Sequence, residues 1–389
     1  MSGKQYDVVV IGGGIHGAGV AQAAAAAGHS VLVLEQSGLA CATSSRSSKL
    51  IHGGLRYLES LRFRLVRESL AERATLLRLA PDLVRLVPFN IPVYSTTTRR
   101  PWKIRAGLAL YALLGGLKRS ARFETLPRRR WNDLDGLDTN NLLTVFRYRD
   151  AQTDDAALTR AVMRSAQKHG AELVCPAEFR AARREGGGFA VGFAVGGAEM
   201  SCNAATIVNA AGPWANRVLE RFTPAPPQLT VELVQGTHIL VAGEIREGVY
   251  YVEAPRDRRA VFVMPWQGGT LVGTTETPYR GDPAAVRPLP AEIEYLQETL
   301  LHYFPRHGAV VRDSFAGLRV LPRGDGALFH RSRETVLHPD TARAPRLITI
   351  YGGKLTGYRL TAARVMRMLR RTLPPRRAVA DTEILPLRD

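Results

Sequence analysis

The hydrophobic positions near the N-terminus fall into two short apolar runs that flank a glycine-rich turn and an alanine-rich stretch. Residues 6–11 are mostly β-branched, which is typical of a strand buried on both faces. Residues 20–27 predict a helix, and Gly28 follows at the position where a helix C-cap glycine is expected. Residues 30–34 predict a second buried strand, which ends at Glu35. The pattern therefore predicts a βαβ unit at the start of the chain.

The rest of the chain alternates between helical and strand-like patterns. Residues 59–79 predict a long amphipathic helix that stops before Pro81. Further predicted helices cover 154–169, 290–303 and 356–373, and predicted strands cover 189–195, 206–209, 231–241, 249–253, 259–264, 270–274 and 347–350. This order predicts an α/β protein in which an antiparallel sheet is inserted between separated segments of a nucleotide-binding domain.

The length of the chain indicates its domain organisation, and its charge indicates the kind of partner it binds. A chain of 389 residues suits two interleaved domains or one large α/β unit with a second sheet. The chain carries 53 Lys and Arg against 35 Asp and Glu, a formal charge of +18. That balance favours anionic partners such as phosphorylated substrates or membranes, although genomic bias toward arginine explains it equally well. Because no basic face with interleaved stacking aromatics is evident, we expect no nucleic-acid partner.

The cysteines and the apolar segments indicate the compartment. Cys41, Cys175 and Cys202 lie far apart without metal-ligand spacing, so no metal site is predicted, and a reduced, cytosolic setting is favoured. The N-terminus carries no secretory signal pattern. No stretch approaches the ~20 apolar residues of a membrane-spanning helix, and the nearest, residues 104–117, is interrupted by Arg105.

The turn after the first predicted strand has the spacing of a dinucleotide-binding loop, with Gly12, Gly14 and Gly17 in the order G-x-G-x-x-G. In such loops the first glycine permits the tight turn, the second lets the backbone approach a pyrophosphate, and the third packs the helix on the strand. The pyrophosphate lies at the helix N-terminus. Glu35 at the end of the next strand can accept the ribose hydroxyls and would repel a 2′-phosphate. The motif disfavours NADP but leaves FAD and NAD open.

Two long sequence blocks resolve the cofactor by resemblance. Residues 42–59 read Ala-Thr-Ser-Ser-Arg-Ser-Ser-Lys-Leu-Ile-His-Gly-Gly-Leu-Arg-Tyr-Leu-Glu, and residues 352–362 read Gly-Gly-Lys-Leu-Thr-Gly-Tyr-Arg-Leu-Thr-Ala. Both closely resemble the FAD-dependent glycerol-3-phosphate dehydrogenase family, and shorter blocks in between keep the family's order over residues 6–363. The resemblance implies bound FAD and a D-amino-acid-oxidase-like fold, in which a Rossmann-like FAD-binding domain carries an inserted antiparallel-sheet substrate domain.

The resemblance also implies a division of the chain and a set of cofactor contacts. The FAD-binding domain is expected at 1–90, 146–225 and 336–389, a connecting or cap segment at 91–145, and the substrate domain at 226–335. Gly212 is expected to close over the adenosine side. The residues implied along the flavin and its ribityl-phosphate chain are Ser44, Ser45, Ser48, Lys49, Leu50 and His52, and those beside the pyrimidine edge are Gly353, Lys354, Leu355 and Thr356. A helix N-terminus and a lysine at that edge can stabilise negative charge on reduced flavin.

The resemblance implies oxidation of a secondary alcohol next to a phosphate ester, namely sn-glycerol 3-phosphate to dihydroxyacetone phosphate, by hydride transfer to flavin N5. His238 is the candidate base because its unperturbed pKa lies near operating pH, and Arg56 or Lys354 could instead stabilise the alkoxide. Arginine binds phosphate oxygens in pairs. The implied pocket residues are Arg56, Tyr57, His238, Arg319, Arg331 and Lys354, with Arg319 and Arg331 as the phosphate clamp.

Several positions depart from the family pattern and leave the substrate open. Ala23 and Ala27 stand where the family has an Asp and an Arg, Gln235 where lysine is common, and Glu276 where Asp is usual. The family pattern also continues into a C-terminal helical domain beyond the segment that matches residues 6–363, and from this comparison that domain is expected to be absent here. The alternative is therefore a pathway-specific FAD oxidase or dehydrogenase that acts on a related phosphorylated or phosphonylated alcohol, a 2-hydroxy acid or an amine.

The resemblance further implies a cytoplasmic enzyme, peripheral at the inner face of the cell membrane, that reduces quinone. Basic residues at 102–105 and 118–119 bracket an apolar stretch that could lie in an anionic lipid interface. A packed helix with a solvated basic rim fits this stretch equally well. Oxygen or a protein partner remains open as the electron acceptor.

Overall fold

The computed structural model describes residues 3–323 and 334–387. Its helices are α1 (Ile15–Ala26), α2 (Phe63–Leu79), α3 (Pro101–Leu114), α4 (Asp155–Lys168), α5 (Ala215–Leu219), α6 (Pro290–Tyr303) and α7 (Tyr358–Leu369). Its strands are β1 (Gln5–Ile11), β2 (Val31–Leu34), β3 (Leu50–Ile51), β4 (Val84–Tyr94), β5 (Glu124–Thr125), β6 (Leu142–Thr153), β7 (Ala171–Val174), β8 (Glu178–Glu185), β9 (Gly188–Val195), β10 (Ala198–Asn209), β11 (Phe222–Thr223), β12 (Val231–Val241), β13 (Val249–Glu253), β14 (Ala260–Trp266), β15 (Gly269–Gly273), β16 (Thr277–Tyr279), β17 (Val311–Pro322), β18 (Val336–Pro339) and β19 (Leu347–Tyr351).

The first sheet has a parallel centre and an antiparallel flank. The strand order is β11-β8-β9-β10-β1-β2-β7, with β19 also paired to β10 and β18 to β19. Strand β1 runs parallel to β2 and β10, and its side chains alternate between two cores. Val8 and Val10 pack with α1, α4 and α7 on one face, while Tyr6, Val9 and Ile11 pack on the other. The prediction of a strand buried on both faces is confirmed.

The second sheet is mostly antiparallel and forms the wall opposite the nucleotide-type elements. The strand order is β16-β12-β15-β14-β13-β4-β6-β3, with β17 paired to β12 and β5 to β6. Helix α6 packs on β12 and β15, and it buries Leu296 and Leu300 in the same core as Val263 and Val272. The two sheets confirm the α/β class with a Rossmann-like unit and an antiparallel sheet.

Two local expectations differ from the structure. Helix α1 begins at Ile15 rather than at residue 20, because the glycines at 17 and 19 lie inside the helix at close contacts. A Cβ on Gly19 would approach the Tyr358 ring to 2.7 Å. From the sequence, no strands are predicted at 84–94, 142–153 or 311–322. The structure has the long strands β4, β6 and β17 at these positions. The five-segment domain division stays a prediction.

Two kinds of feature are absent from the described ranges. In residues 3–323 and 334–387 no helix combines the length and the apolarity needed to cross a bilayer. The same residues contain no group of three or more His, Cys, Asp or Glu side chains arranged to hold a metal ion.

Candidate active site

A cavity of about 730 Å³ is lined by residues from both sheets and from the loops between them. Residues from the start of the chain, from β12, β14 and β17, and from the turn before α7 all line its wall. The predicted site residues that line it are Gly12, Gly14, Glu35, Ser44, Ser48, Leu50, His52, Arg56, Tyr57, Gly212, His238, Arg319, Gly353, Lys354, Leu355 and Thr356. The cavity therefore brings together residues that are separated by more than three hundred positions in the chain.

The glycine turn has the geometry that its spacing predicts. Gly12 has a φ of +108°, and a Cβ there would lie 2.6 Å from the Ala210 carbonyl oxygen. A Cβ on Gly17 would lie 1.9 Å from the Gly12 carbonyl oxygen. Gly17 does not line the cavity and acts by letting α1 pack on the turn. Gly14 is the N-cap of α1, so the first turn of the helix presents its free N–H groups at the cavity wall.

Glu35 organises the loops around the glycine turn. One carboxylate oxygen accepts a hydrogen bond from the Gly13 amide at 2.6 Å, and the other accepts from the Ser37 and Gly38 amides at 2.8 and 3.3 Å. An ionised carboxylate has about four acceptor positions, so the side chain can still accept ribose hydroxyls. We call Gly12, Gly14, Glu35 and the 36–38 loop the glycine-turn region.

The serine-rich loop at 43–49 is fastened at both ends. Ser44 Oγ accepts a hydrogen bond from the Ile15 amide at 2.9 Å, and Lys49 Nζ donates to Asp155 Oδ1 at 2.7 Å. Both partners of that ion pair are buried. Lys49 also donates to the Ser45 carbonyl oxygen. Lys49 and Ser45 lie outside the cavity lining, so their contacts hold the loop rather than face a ligand.

The two ends of the chain meet at the cavity wall. The His52 amide donates to Thr356 Oγ1 at 3.2 Å. Lys354 Nζ lies 3.6 Å from the centroid of the Tyr57 ring, in the range of a cation–π contact. Gly353 has a φ of +103°. The block at 42–59 and the block at 352–362 therefore form one continuous surface.

Charged side chains from separate segments converge elsewhere on the wall. Glu276 bridges two arginines, with Arg259 Nη2 at 2.7 Å and Arg319 Nη1 at 3.2 Å. Burial together with the positive charges of Arg259 and Arg56 lowers the pKa of Arg319 to about 10. We call Arg56, Arg259, Glu276, Arg319 and Lys354 the cationic region.

Arg259 is not predicted as a site residue from the sequence, and Glu276 stands out there only as a departure from the family pattern. Arg259 stands in the run Arg256-Asp257-Arg258-Arg259, where nothing in the pattern distinguishes one arginine from the next. Strand β14, which follows the run directly, could have indicated Arg259, because the alternation along the strand fixes which residue of the run faces the cavity. Arg331 lies outside the described residues.

His238 lies on β12 and is 1% exposed. Its Nε2 forms a hydrogen bond with Ser48 Oγ at 2.9 Å, and its ring stacks on Phe315 with centroids 5.0 Å apart. Burial, with the positive charges of Arg319 and Lys49, holds its pKa well below the usual value. The imidazole is therefore neutral at neutral pH, which is the form that accepts a proton.

These features fit FAD on structural grounds. The glycine turn and the α1 N-terminus suit a pyrophosphate, and Glu35 suits a ribose. In the described part of the chain His238 Nδ1 is buried without a hydrogen-bond partner, which points to a polar ligand group beside it. The size of the cavity suits a dinucleotide together with a small substrate.

The chain matches the family model of FAD dependent oxidoreductases over residues 7–365 and belongs to that family. FAD is therefore its cofactor, and the protein is an enzyme, as the sequence predicts. The resemblance to glycerol-3-phosphate dehydrogenases is confirmed as well.

Two curated relatives have nearly equal similarity and different names. The chain is 37% identical to the aerobic glycerol-3-phosphate dehydrogenase of Escherichia coli (strain K12), over 93% of this chain and 73% of that protein. It is 38% identical to the D-erythritol 1-phosphate dehydrogenase of Brucella abortus (strain 2308), over 95% and 74% respectively. Among solved structures, the glycerol-3-phosphate dehydrogenase from Bacillus halodurans complexed with FAD has a TM-score of 0.78 and 27% identity, covering 100% of this chain and 68% of that chain.

Proposed function

We propose that this enzyme oxidises the secondary alcohol of sn-glycerol 3-phosphate and releases dihydroxyacetone phosphate. The observation that carries the proposal is the cationic region, where four cationic side chains and one carboxylate line the FAD cavity and two of the arginines hold that carboxylate. A cavity lined by an excess of positive charge favours a phosphate dianion over a neutral polyol. The names of the relatives support the same substrate class.

The phosphate is held by Arg319 and Arg259 in this proposal. Their guanidinium groups already bind one carboxylate between them, that of Glu276, and a phosphate offers the same pairs of oxygens. Arg331 is proposed as a further clamp residue. Tyr57 lies against the ammonium of Lys354 and would border the polyol carbons.

His238 is proposed to take the hydroxyl proton. Its lowered pKa keeps the imidazole neutral, and its hydrogen bond to Ser48 fixes the ring orientation. Lys354 and Arg56 would stabilise the developing alkoxide by their charge. Bound FAD would supply the hydride acceptor. The residues proposed beside it are Ser44, Ser48, Leu50, His52, Gly212 and 353–356. Ser45 and Lys49 are proposed to support the cofactor by holding the 43–49 loop.

A longer phosphorylated polyol is the second candidate. The observation that favours it is the relative named D-erythritol 1-phosphate dehydrogenase, at 38% identity over 375 residues. Glu276 provides a carboxylate in the cavity wall that could accept a hydrogen bond from an additional hydroxyl.

An anaerobic titration of the purified, FAD-loaded protein distinguishes the candidates. We expect sn-glycerol 3-phosphate to bleach the flavin absorbance, while glycerol leaves it unchanged. Erythritol 1-phosphate bleaching the flavin at much lower concentration would favour the second candidate. No bleaching by any phosphorylated polyol, with bleaching by an amine or a 2-hydroxy acid, would refute both.

We also propose that the enzyme works at the cytoplasmic face of the membrane with quinone as its acceptor. Helix α3 exposes Trp102 and Leu113 at 66% and 60%, and the following Leu117 is 57% exposed. Basic residues Lys103 and Arg105 flank these positions, which is the pattern of an interfacial helix. Reoxidation by oxygen is the alternative acceptor.

Sedimentation with lipid vesicles tests this contact. We expect binding to vesicles that contain phosphatidylserine, and weaker binding after Trp102→Ser with Leu113→Ser. Val379→Ser is the matched control, because Val379 is equally exposed at another surface. Equal binding by all three proteins would contradict the contact.

A further inference from the structure

His16 is a histidine of the cavity wall that the proposed chemistry does not use. It is the second residue of α1, between the second and third glycines of the turn, and it lines the cavity together with Gly353 and Lys354. The imidazole packs directly against Gly353, since a Cβ at that position would lie 2.2 Å from His16 Nε2 and 2.8 Å from Cε1. His16 therefore joins the glycine turn to the opposite end of the chain.

The two ring nitrogens of His16 have different surroundings. Across residues 3–323 and 334–387, Nδ1 is buried and has no hydrogen-bond partner. Nε2 lies on the side of the ring that contacts Gly353 at the cavity wall. Burial lowers the pKa of His16 to about 4, so at neutral pH the ring carries a single proton.

That proton has a preferred nitrogen. A buried N–H without an acceptor loses its hydration and gains nothing in return. Placing the proton on Nδ1 would create such a donor, whereas placing it on Nε2 directs an N–H toward the cavity beside Gly353. The geometry therefore favours the tautomer in which Nε2 is the donor.

We propose that His16 is a hydrogen-bond donor to the bound FAD through its Nε2, at the edge of the cavity formed by Gly353 and Lys354, and that this bond favours the reduced cofactor. The proposal rests on the expected position of the flavin pyrimidine edge beside residues 353–356. Reduction places negative charge on that edge, and a fixed donor there binds the reduced form more strongly than the oxidised form.

The role differs from that of Lys354. Lys354 contributes a full charge on a flexible side chain, which lies over the Tyr57 ring. His16 contributes a neutral donor whose direction is fixed by α1 and by the contact with Gly353. In this proposal His16 acts on the cofactor rather than on the substrate, so its effect should be visible without any substrate.

Substitutions that move the donor test the proposal. The amide nitrogen of His16→Gln can reach the position of Nε2, whereas that of His16→Asn reaches only the position of Nδ1. Both are small polar changes, so folding is preserved even if His16→Leu is unstable. His338→Leu is the matched control, since His338 also has a buried ring nitrogen without a partner among the described residues but does not line the cavity.

The measurement is the reduction potential of the bound flavin in each FAD-loaded variant, obtained by equilibration with a reference dye. We expect His16→Asn and His16→Leu to shift the ratio of affinities for reduced and oxidised FAD by about tenfold toward the oxidised form, which is about 30 mV for a two-electron couple. We expect His16→Gln and His338→Leu to keep the potential of the parent protein. Parent-like potentials in the Asn and Leu variants, or equal shifts in the Gln and Asn variants, would overturn the proposal.

Discussion

The glycine-turn region and the cationic region line the same cavity but are built in different ways. The glycine-turn region comes from one stretch of sequence, residues 12–38, and offers mainly backbone amides and a single carboxylate, that of Glu35. The cationic region takes its side chains from five separated positions, which lie on or next to β14, β16, β17 and the turns at 54–57 and 352–357. The first needs only a βαβ unit to form, whereas the second needs both sheets in place.

This difference teaches where each region is vulnerable. Backbone amides cannot be removed by changing a side chain. Apart from loss of the Glu35 carboxylate, the glycine-turn region therefore fails when an added atom blocks the close approach of two backbone segments. The cationic region fails when a charge is removed, because its neighbours were arranged around that charge.

The largest expected effect is that of Gly17→Ala. The added Cβ would lie 1.9 Å from the Gly12 carbonyl oxygen, so α1 must move away from the turn. Overpacking of this kind costs about 3 kcal/mol or more, and we expect the protein to be purified without FAD. Flavin content per protein, read from absorbance, checks this. Gly38→Ala is the control in the same region, since its Cβ would meet no atom closer than 3.8 Å; equal flavin loss in both variants would contradict the account.

Next in size is the effect of Arg319→Met on the cationic region. Removing this partly buried charge should lower kcat/KM for glycerol 3-phosphate by roughly a hundredfold, since losing one partner of a charge pair with the substrate costs about 2–5 kcal/mol. The affinity for FAD should remain unchanged. Arg312→Met on the same strand is the control, because Arg312 is exposed. A parent-like kcat/KM in the Arg319 variant would show that Arg319 does not bind the substrate.

Asp155→Asn tests whether the buried ion pair between Lys49 and Asp155 fastens the 43–49 loop. The change leaves the buried ammonium of Lys49 without its carboxylate, which should lower the free energy of unfolding by about 3–5 kcal/mol. Urea denaturation with the flavin bound measures this. The exposed pair Arg183 and Glu185 provides the control, because Glu185→Gln should change stability by less than ~1 kcal/mol. Similar losses in the two variants would show that the loop is not fastened as described.

The smallest expected effect is on the pH dependence set by His238, whose pKa is lowered by burial and by Arg319 of the cationic region. The neutral imidazole of His238 is the form that accepts a proton, and its pKa is held well below the usual value. The neutral form therefore persists as the pH falls through 6.5, and kcat should stay level there, whereas kcat/KM also follows the ionisation of the substrate phosphate. A half-maximal kcat at pH 6.5 or higher would exclude His238 as a base with the described surroundings.

The sequence predicted the glycine-turn region well, because Gly12, Gly17 and Glu35 act through neighbours that are close in the chain or one strand away. The strands β4, β6 and β17 were not predicted from the sequence. Strand β4 contains two prolines and exposed positions, which obscure the alternation that indicates a strand. Its pairing with β6 is a long-range contact that no local pattern reveals.

Arg259 illustrates the remaining limit. Its role depends on the side chain of Glu276 and on the register of β13 with β14, and both follow from tertiary packing. Arg319 and His238 were predicted as site residues from the family resemblance. Arg259 lies outside the blocks that resemble the family, so it was not predicted. The same holds for His16, whose partner across the cavity, Gly353, is at the far end of the chain.

The reduction of the bound flavin by glycerol 3-phosphate, followed anaerobically in a single turnover, tests the central claim most directly. The compound deuterated at C2 should bleach the flavin more slowly than the ordinary compound, and dihydroxyacetone phosphate should appear in equal amount to the reduced flavin. An unchanged flavin absorbance at saturating glycerol 3-phosphate would contradict the claim, as would bleaching without an oxidised product.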